Sequence, residues 1–391
     1  MRASEALGLP GAEHRIKYSH VSHFMKNLPV RKAAAFRGLQ NGYKGLMLAA
    51  AWTRLHTFVT PRRFLRLCVV SLVFVLGVIV WGALVRATGS GAGCGQHWPL
   101  CNGQMLPVFS RYQTLIEFFH RVTSGLSLLL VFTLGHFAFR LYGQNHPVRR
   151  FAVGSMVAMV IEALIGAALV LLRLVEHDRS VDRAISMTLH LGNTCFLLGA
   201  LALLTWSAWN AQRAPNPLGS AGDAGSFRGG ESSLRGGQGS PHETLALMVL
   251  GGFVVLAAAG ALTALGDTLF EVRSFNEGWI RDWARDAHFL ERLRVLHPVL
   301  ALLWMVGALV WLQRLSSSWA KWALRLLISN LMIGAANVLL AAPVALQLVH
   351  LLVANLLWIA LVLAWHESRV LFSRQPERSS SEPLVVTPSG F

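Results

Sequence analysis

The chain has 391 residues, of which 54% are hydrophobic and only 14% are charged, whereas a soluble domain usually carries about a quarter charged residues. This proportion excludes an ordinary soluble domain and indicates a membrane protein. The formal net charge of +16 does not predict a nucleic-acid partner, because the cations stand in tails and loops, as on the cytoplasmic side of a bilayer.

Residues 1–66 are predicted to form a basic cytoplasmic extension. Between His14 and Ile116 there is no Asp or Glu, while Lys and Arg recur from Arg15 to Arg66. The extension has neither the short apolar core nor the small-residue cleavage site of a secretory signal. The excess of cations beside the first apolar run places this end of the chain inside.

Eight apolar runs follow, each about the 20 residues that cross roughly 30 Å of hydrocarbon as a helix. They predict an all-α polytopic membrane protein with eight transmembrane helices, both termini cytoplasmic and the loop after the first helix outside. In chain order the runs lie near residues 67–86, 114–139, 151–172, 186–208, 244–266, 290–313, 322–341 and 344–365.

A linker divides these helices into two halves. Residues 209–243 are rich in Gly, Ser, Pro and Arg, a composition that cannot bury a core and predicts a flexible cytoplasmic segment. Four helices precede it in residues 67–208 and four follow in residues 244–366. Residues 367–391 are predicted to be a cytoplasmic tail.

The two halves carry a sequence repeat. EALIGAALVLL at 162–172 and NLMIGAANVLL at 330–340 share the word IGAA, and each stands in the third helix of its half. Because each half has an even number of helices, a duplication gives both copies one orientation. The repeat therefore predicts two tandem four-helix bundles related by a pseudo-two-fold axis along the membrane normal. Gly166 and Gly334 are interpreted as points of close helix contact.

The loop after the first helix reads GSGAGCGQHWPLC at 89–101 and contains Cys94 and Cys101. Outside a bacterial membrane a disulfide between them is chemically permitted. Only six residues separate the two cysteines, so the bond would constrain little chain entropy. We therefore favour a redox-responsive pair over a purely stabilising bond.

Four histidines share one depth in the predicted helices. His120, His190, His297 and His350 each follow the outer end of an even-numbered helix, about 6–11 Å below the boundary at roughly 1.5 Å per residue. A single membrane histidine is usually a packing residue. Four at matched depth, two per half, favour two haem sites, because imidazoles on neighbouring helices can ligate haem iron. Glu117 leaves a zinc site open as an alternative.

The first site differs from the second in its charges. EFFHR places Glu117 one turn before His120 and Arg121 directly after it, whereas RVLHP has Arg294 in the place of the carboxylate. A carboxylate at this depth is costly and marks a functional site. Arg86 and Arg121 are candidates to pair with haem propionates or with Glu117, or to extend to the interface.

At this point the sequence resembles the haem A synthase family of bacterial and mitochondrial membranes, over about residues 67–366. The cysteine loop together with ExxHR is the most specific part of the resemblance. The matching segments are GALVRATGSGAGCGQHWPLCNGQMLP at 82–107, IEFFHR at 116–121, MTLH at 187–190, IGAANVLL at 333–340 and LQLVHLLVANLLW at 346–358.

The resemblance implies an enzyme of the bacterial inner membrane that oxidises the ring methyl of haem O to the formyl group of haem A, for use by terminal oxidases. It implies that His120 and His190 flank the substrate haem O, that His297 and His350 ligate the iron of a haem b cofactor, and that Glu117 is the catalytic carboxylate. The partners implied are membrane lipid, the farnesylating haem O synthase and an electron-transfer partner, and a homo-oligomer is left open.

The sequence departs from that family at three positions. His97 stands where Asp is common and Glu162 where Gln is usual, and both are interpreted as changes of local polarity only. Pro298 stands where Arg often follows the third histidine, which bears on how the second haem's propionates are held.

Two other functions fit part of the pattern. A dihaem b-type electron carrier between quinol and an outer partner would use the four histidines equally well, but it would need neither Glu117 nor the cysteine loop. A haem-delivery protein predicts one reversible site and no product.

Overall fold

The computed structural model describes residues 59–213 and 241–373. Within these ranges the chain is helical apart from its connections, a short 3-10 helix at Ser90–Ala92 and one isolated bridge between Cys101 and Gln104. The helices are α1 (Pro61–Ala87), α2 (Tyr112–Leu141), α3 (Pro147–Leu171), α4 (Val181–Ala211), α5 (Pro241–Leu269), α6 (Phe275–Asp282), α7 (Phe289–Leu293), α8 (Leu296–Gln313), α9 (Ser318–Leu339) and α10 (Val344–Ser373).

Eight segments in the described ranges are long and apolar enough to cross a membrane: α1 to α5, α7 together with α8, α9 and α10. This finding confirms the predicted all-α, multi-pass architecture. The helices reach beyond the apolar runs, since α1 begins at Pro61 rather than near 67 and α10 continues to Ser373. Charged residues end an apolar run without ending a helix, because Lys and Arg side chains can extend to water.

Much of the predicted extension, linker and tail lies outside the described residues. These parts are residues 1–58, 214–240 and 374–391. The domain boundaries proposed from the sequence within them therefore remain predictions.

The sixth predicted span is interrupted just before His297. His288 caps α7 through its side chain, and the Glu291 carboxylate accepts from the His288 backbone N–H at 2.9 Å. The chain then restarts as α8, whose first turn contains His297 and Pro298. Proline is tolerated there, because the first N–H groups of a helix have no partner within it. The third histidine therefore stands in the first turn of α8 rather than inside one continuous helix.

The two halves share a buried interface. Helix α4 packs against α5 and α10, and α1 also contacts α10. The indole N–H of Trp358 on α10 donates to the backbone carbonyl of Cys195 on α4 at 2.6 Å, and Phe253 of α5 stacks on the same indole at 5.1 Å. The halves are thus packed together, while their pseudo-two-fold relation remains a prediction.

Candidate functional site

The loop between α1 and α2 folds back over the start of α2. Cys94 and Cys101 form a disulfide with their Cα atoms 4.4 Å apart. A Cβ on Gly93 would lie 2.4 Å from the carbonyl oxygen of Gln113, so glycine is required at this close approach. The Thr114 hydroxyl donates to the Gly93 carbonyl at 2.8 Å. We call residues 89–101 the cysteine lid.

Glu117 lies beneath the cysteine lid and is only 3% exposed. Its Oε2 accepts a 2.7 Å hydrogen bond from the Cys94 backbone N–H, and its Oε1 accepts one from Nε of Arg121 at 3.0 Å. Arg121 also donates to the carbonyl oxygens of His97 and Leu100 at 2.6 and 2.7 Å. Glu117 and Arg121 together therefore fasten the lid to α2.

The first histidine pair comes from α2 and α4. His120 stands one turn after Glu117 on α2, and His190 stands on α4, which packs against α1 and α3. The His120 Nδ1 atom is buried and has no hydrogen-bond partner among the residues described. The His190 Nδ1 atom lies 3.4 Å from Oε1 of Glu162 on α3. One of these two imidazoles is thus backed by a carboxylate.

The second histidine pair comes from α8 and α10. The ring centroids of His297 and His350 are 6.3 Å apart and the ring planes are perpendicular. The His297 Nδ1 atom lies 3.1 Å from the backbone carbonyl oxygen of Leu256 on α5. Because a carbonyl only accepts, Nδ1 carries the proton in this contact, and Nε2 keeps a lone pair that can bind a metal.

Arg294, which the sequence places in the position of Glu117, belongs to a buried ion cluster. Its Nη2 lies 2.6 Å from Oδ1 of Asp282, and its Nη1 lies 3.7 Å from Oδ1 of Asp267. Glu291 is within 3.8 Å, and the Phe270 carbonyl accepts from Nη1 at 3.0 Å. The guanidinium therefore joins α5, α6 and α7 to α8 at this end of the second half.

Burial raises the pKa of Asp282, and the neighbouring Arg294 partly offsets that increase. This carboxyl lies in α6, outside the candidate spans. A carboxylate that is costly to bury needs its cation, so Arg294 is the residue on which the cluster depends.

Arg86 of α1 crosses to the second half of the chain. Its guanidinium donates to the Ala264 carbonyl and the Thr268 hydroxyl on α5, and to Oε1 of Gln347 on α10 at 2.9 Å. Gln347 stands one turn before His350. Arg121 therefore pairs with Glu117, which is one of the alternatives that the sequence left open. Arg86 instead contacts helices of the second half, near His350.

Three of the four histidine rings pack against a glycine of another helix. A Cβ on Gly82 would lie 3.0 Å from the His120 imidazole. A Cβ on Gly260 would lie 3.1 Å from His297, and one on Gly334 would lie 3.1 Å from His350. Gly166, the repeat counterpart of Gly334, has nothing within 4 Å of such a Cβ. The predicted close contact therefore exists at Gly334, where the neighbour is a histidine, and not at Gly166.

This arrangement fits a haem iron bound by two histidines. Metal–nitrogen bonds to imidazole are about 2 Å long and the ring centre lies about 1 Å behind the nitrogen, so two opposed ligands have centroids roughly 6 Å apart. The 6.3 Å between His297 and His350 agrees with that value. Within residues 59–213 and 241–373 no three His, Cys, Asp or Glu side chains converge, whereas an axially ligated haem needs only two.

Sequence reasoning missed the contacts of two kinds of residue. The sequence predicts only a change of local polarity at Glu162, yet its carboxylate lies against His190. Gly82 and Gly260 were not singled out, although GAL recurs at 82–84 and 260–262 before the first histidine of each half. That recurrence is a second trace of the repeat and could have identified both glycines.

Comparison with known proteins gives a family match and several relatives. The family described as cytochrome oxidase assembly protein, COX15-CtaA, matches residues 65–113 and 108–362. Two proteins named "Protoheme IX farnesyltransferase", from two strains of Thermus thermophilus, are each 42% identical over 301 residues, which are 73% of this chain and 46% of the relative.

Other relatives are named "Heme A synthase". The one from Bacillus licheniformis is 35% identical over 143 residues, which are 37% of this chain and 44% of the relative. The one from Geobacillus kaustophilus is 40% identical over 130 residues, which are 33% of this chain and 38% of the relative. The chain thus spans less than half the length of these curated relatives. Since the family match extends over most of the eight-helix region, this chain belongs to the cytochrome oxidase assembly protein family, COX15-CtaA.

Proposed function

We propose that this chain is a haem A synthase, which oxidises the ring methyl of haem O to a formyl group. The observation that carries the proposal is the difference between the two histidine pairs. Among the described residues only the first pair has a carboxylate within 4 Å of an imidazole, Glu162 against His190, and Glu117 stands one turn before His120. The family match and the relatives named heme A synthase support the same chemistry.

We assign the substrate haem O to His120 and His190 in the first half. Their imidazoles would hold the iron, and the His120 ring packs against Gly82, where a Cβ would lie 3.0 Å from it. His297 and His350 would hold a haem b cofactor, which supplies one-electron redox chemistry when bound. Arg86 reaches the second pair through Gln347 and is the candidate to steady the propionates or the helix ends there.

Glu117 is the proposed catalytic carboxylate. A carboxylate has about four lone-pair positions. Nε and Nη2 of Arg121 both donate to Oε1 and the Cys94 N–H donates to Oε2, so the remaining acceptor capacity is on Oε2. Negative charge held near the reacting methyl would stabilise positive charge developing on that carbon or accept its proton. The net change from methyl to formyl is R–CH3 + H2O to R–CHO with four protons and four electrons, and an electron-transfer partner takes the electrons.

The conversion itself is the first test. The full chain would be produced in cells that make haem O but lack haem A, and haem extracted from the membranes would be separated by chromatography. Haem A is the expected product. Unchanged haem O beside redox-active haem b would support the electron carrier instead, and a single reversibly bound haem without product would support a haem-delivery protein.

Replacement of Glu117 tests its role in the same assay. Glu117→Gln should accumulate haem O or an alcohol intermediate while haem remains bound. Arg121→Gln is the matched control, because it loosens the same cysteine lid while it leaves the carboxylate in place. Equal effects of both variants, or loss of all haem from Glu117→Gln, would make Glu117 a structural residue.

We also propose a location and a partner. The eight apolar helices fit the inner membrane of a bacterium with both termini cytoplasmic and the cysteine lid outside. The Thermus relatives bear the name of a farnesyltransferase, and this chain covers 46% of them. That coverage supports association with the enzyme that supplies haem O. Copurification of the two proteins from cells that produce both would test the association.

A further inference from the structure

We propose that Glu162 is a positioning residue for the first haem site, acting through His190. It holds the His190 ring and makes this imidazole a stronger electron donor to iron than the other three. The proposal rests on the proposed haem site at His120 and His190, but it does not require that the haem be converted to product.

Both carboxylate oxygens of Glu162 accept hydrogen bonds from side chains of α4. The amide N–H of Asn193 donates to Oε2 at 2.6 Å, and the Thr194 hydroxyl lies 2.6 Å from Oε1. Asn193 also donates to the Ala158 carbonyl at 2.9 Å, which fixes its amide against α3. The Glu162 side chain is only 17% exposed. These contacts hold the carboxylate in one orientation, with Oε1 toward His190.

The contact with His190 is made at Nδ1, so Nε2 is the ring nitrogen that would bind iron. The buried His190 Nδ1 atom lies 3.4 Å from Oε1 of Glu162 and makes no hydrogen bond to any described residue, so this carboxylate is the acceptor within reach of its proton. A carboxylate that accepts the Nδ1 proton leaves the Nε2 lone pair for the metal and fixes the ring plane.

The other histidines lack such a carboxylate. Of the four, only His190 lies within 4 Å of a described Asp or Glu oxygen. His297 has a neutral backbone carbonyl at its Nδ1. The repeat position of Glu162 is Asn330, whose amide carries no charge. The two halves therefore differ in the charge behind one ligand, on otherwise corresponding helices.

This difference has a predictable electronic consequence. A hydrogen bond to a carboxylate makes imidazole more basic, and a more basic ligand favours ferric over ferrous iron. The first haem should then have a lower midpoint potential than the same haem with a neutral partner behind His190. The carboxylate should also strengthen haem binding at this site.

The experiment uses the full chain in detergent, freed of haem and titrated with ferric haem b as the probe. His350→Ala leaves only the first pair intact, and His190→Ala leaves only the second. In the His350→Ala background, Glu162→Gln should weaken haem binding roughly tenfold or more and raise the midpoint potential. Thr194→Val removes the hydrogen bond that orients Oε1 toward His190, so it should weaken haem binding by a smaller factor.

The His190→Ala background is the matched control. There Glu162→Gln should change neither the affinity nor the potential of the second haem, and an unchanged second-site spectrum also reports that the variant is folded. Equal binding and equal potential with Glu or Gln in the first background would overturn the proposal. The same shift in both backgrounds, or no haem bound by the His350→Ala protein, would overturn it as well.

These readouts separate this inference from the proposed function. A chain that makes no haem A but shifts its first haem on Glu162→Gln would keep the inference and lose the function. A chain that makes haem A without any such shift would do the reverse.

Discussion

The two histidine pairs stand on corresponding helices but meet opposite charges. Beside the first pair, Glu117 is held by Arg121 and the cysteine lid, and Glu162 lies against His190. Beside the second, Arg294 replaces Glu117 and is neutralised by Asp282 and its neighbours. The comparison shows that similar helices can place carboxylates near one histidine pair, while the charges near the other pair form ion pairs with α5 and α6.

The largest expected effect comes from the ion cluster of the second half. Arg294→Met should cost about 3–5 kcal/mol of stability, because it leaves buried carboxylates without their cation. The temperature at which the purified protein loses its folded structure measures the effect. Arg292→Met is the control, since within the described part of the chain that exposed side chain donates to the backbone carbonyls of Ala284 and Arg285 and to no carboxylate. Similar losses in both variants would show that the cluster is not structural.

The disulfide of the cysteine lid gives the next largest effect. Replacing both Cys94 and Cys101 with Ala should cost about 2–3 kcal/mol for so short a loop. Glu117 and Arg121 still hold the lid, so the protein should remain folded. If the pair takes part in turnover, the haem A yield per folded molecule should fall well beyond the loss of protein. A yield that follows the amount of folded protein would assign the disulfide to shaping the lid.

The smallest effects come from the glycines beside the histidine rings, and they separate the two sites. Gly82→Ala should perturb only the first haem, whereas Gly260→Ala and Gly334→Ala should perturb only the second. Each added methyl group should lower the stability of the protein by about 1–3 kcal/mol, because it overpacks the contact with the imidazole. Gly166→Ala should be neutral or slightly stabilising, because its Cβ meets open space and alanine favours a helix. The absorbance spectrum of each haem is the measurement. A haem lost from Gly166→Ala as readily as from Gly334→Ala would contradict the packing.

The helical architecture could be predicted from the sequence, because bilayer thickness sets the length of each apolar run. The break before His297 could not be predicted from hydropathy, because the apolar run continues on both sides of it. It lies where Pro298 has no N–H to donate to the backbone carbonyl of Arg294. Hydropathy also began α1 too late and ended α10 too early, because charged residues continue both helices beyond their apolar runs.

The sequence predicts which residues belong to the candidate site, but it predicts only some of the contacts between them. The histidines and Glu117 stood out because polar groups at that depth are rare. Arg86 and Arg121 looked equivalent in the sequence, yet one crosses to α5 and α10 and the other stays on α2. Glu162 was underestimated because its partner His190 lies on a different helix. Such pairings depend on the rotation of each helix, which a single sequence does not fix.

The central claim is that the first histidine pair holds the farnesylated haem and the second holds haem b. It is tested most directly by the haems extracted from two variants of the full chain made in cells that supply haem O. His297→Ala should retain the farnesylated haem and lack haem b, whereas His190→Ala should retain haem b and lack the farnesylated haem. Loss of the farnesylated haem from His297→Ala alone, or equal loss of both haems from both variants, would contradict the account.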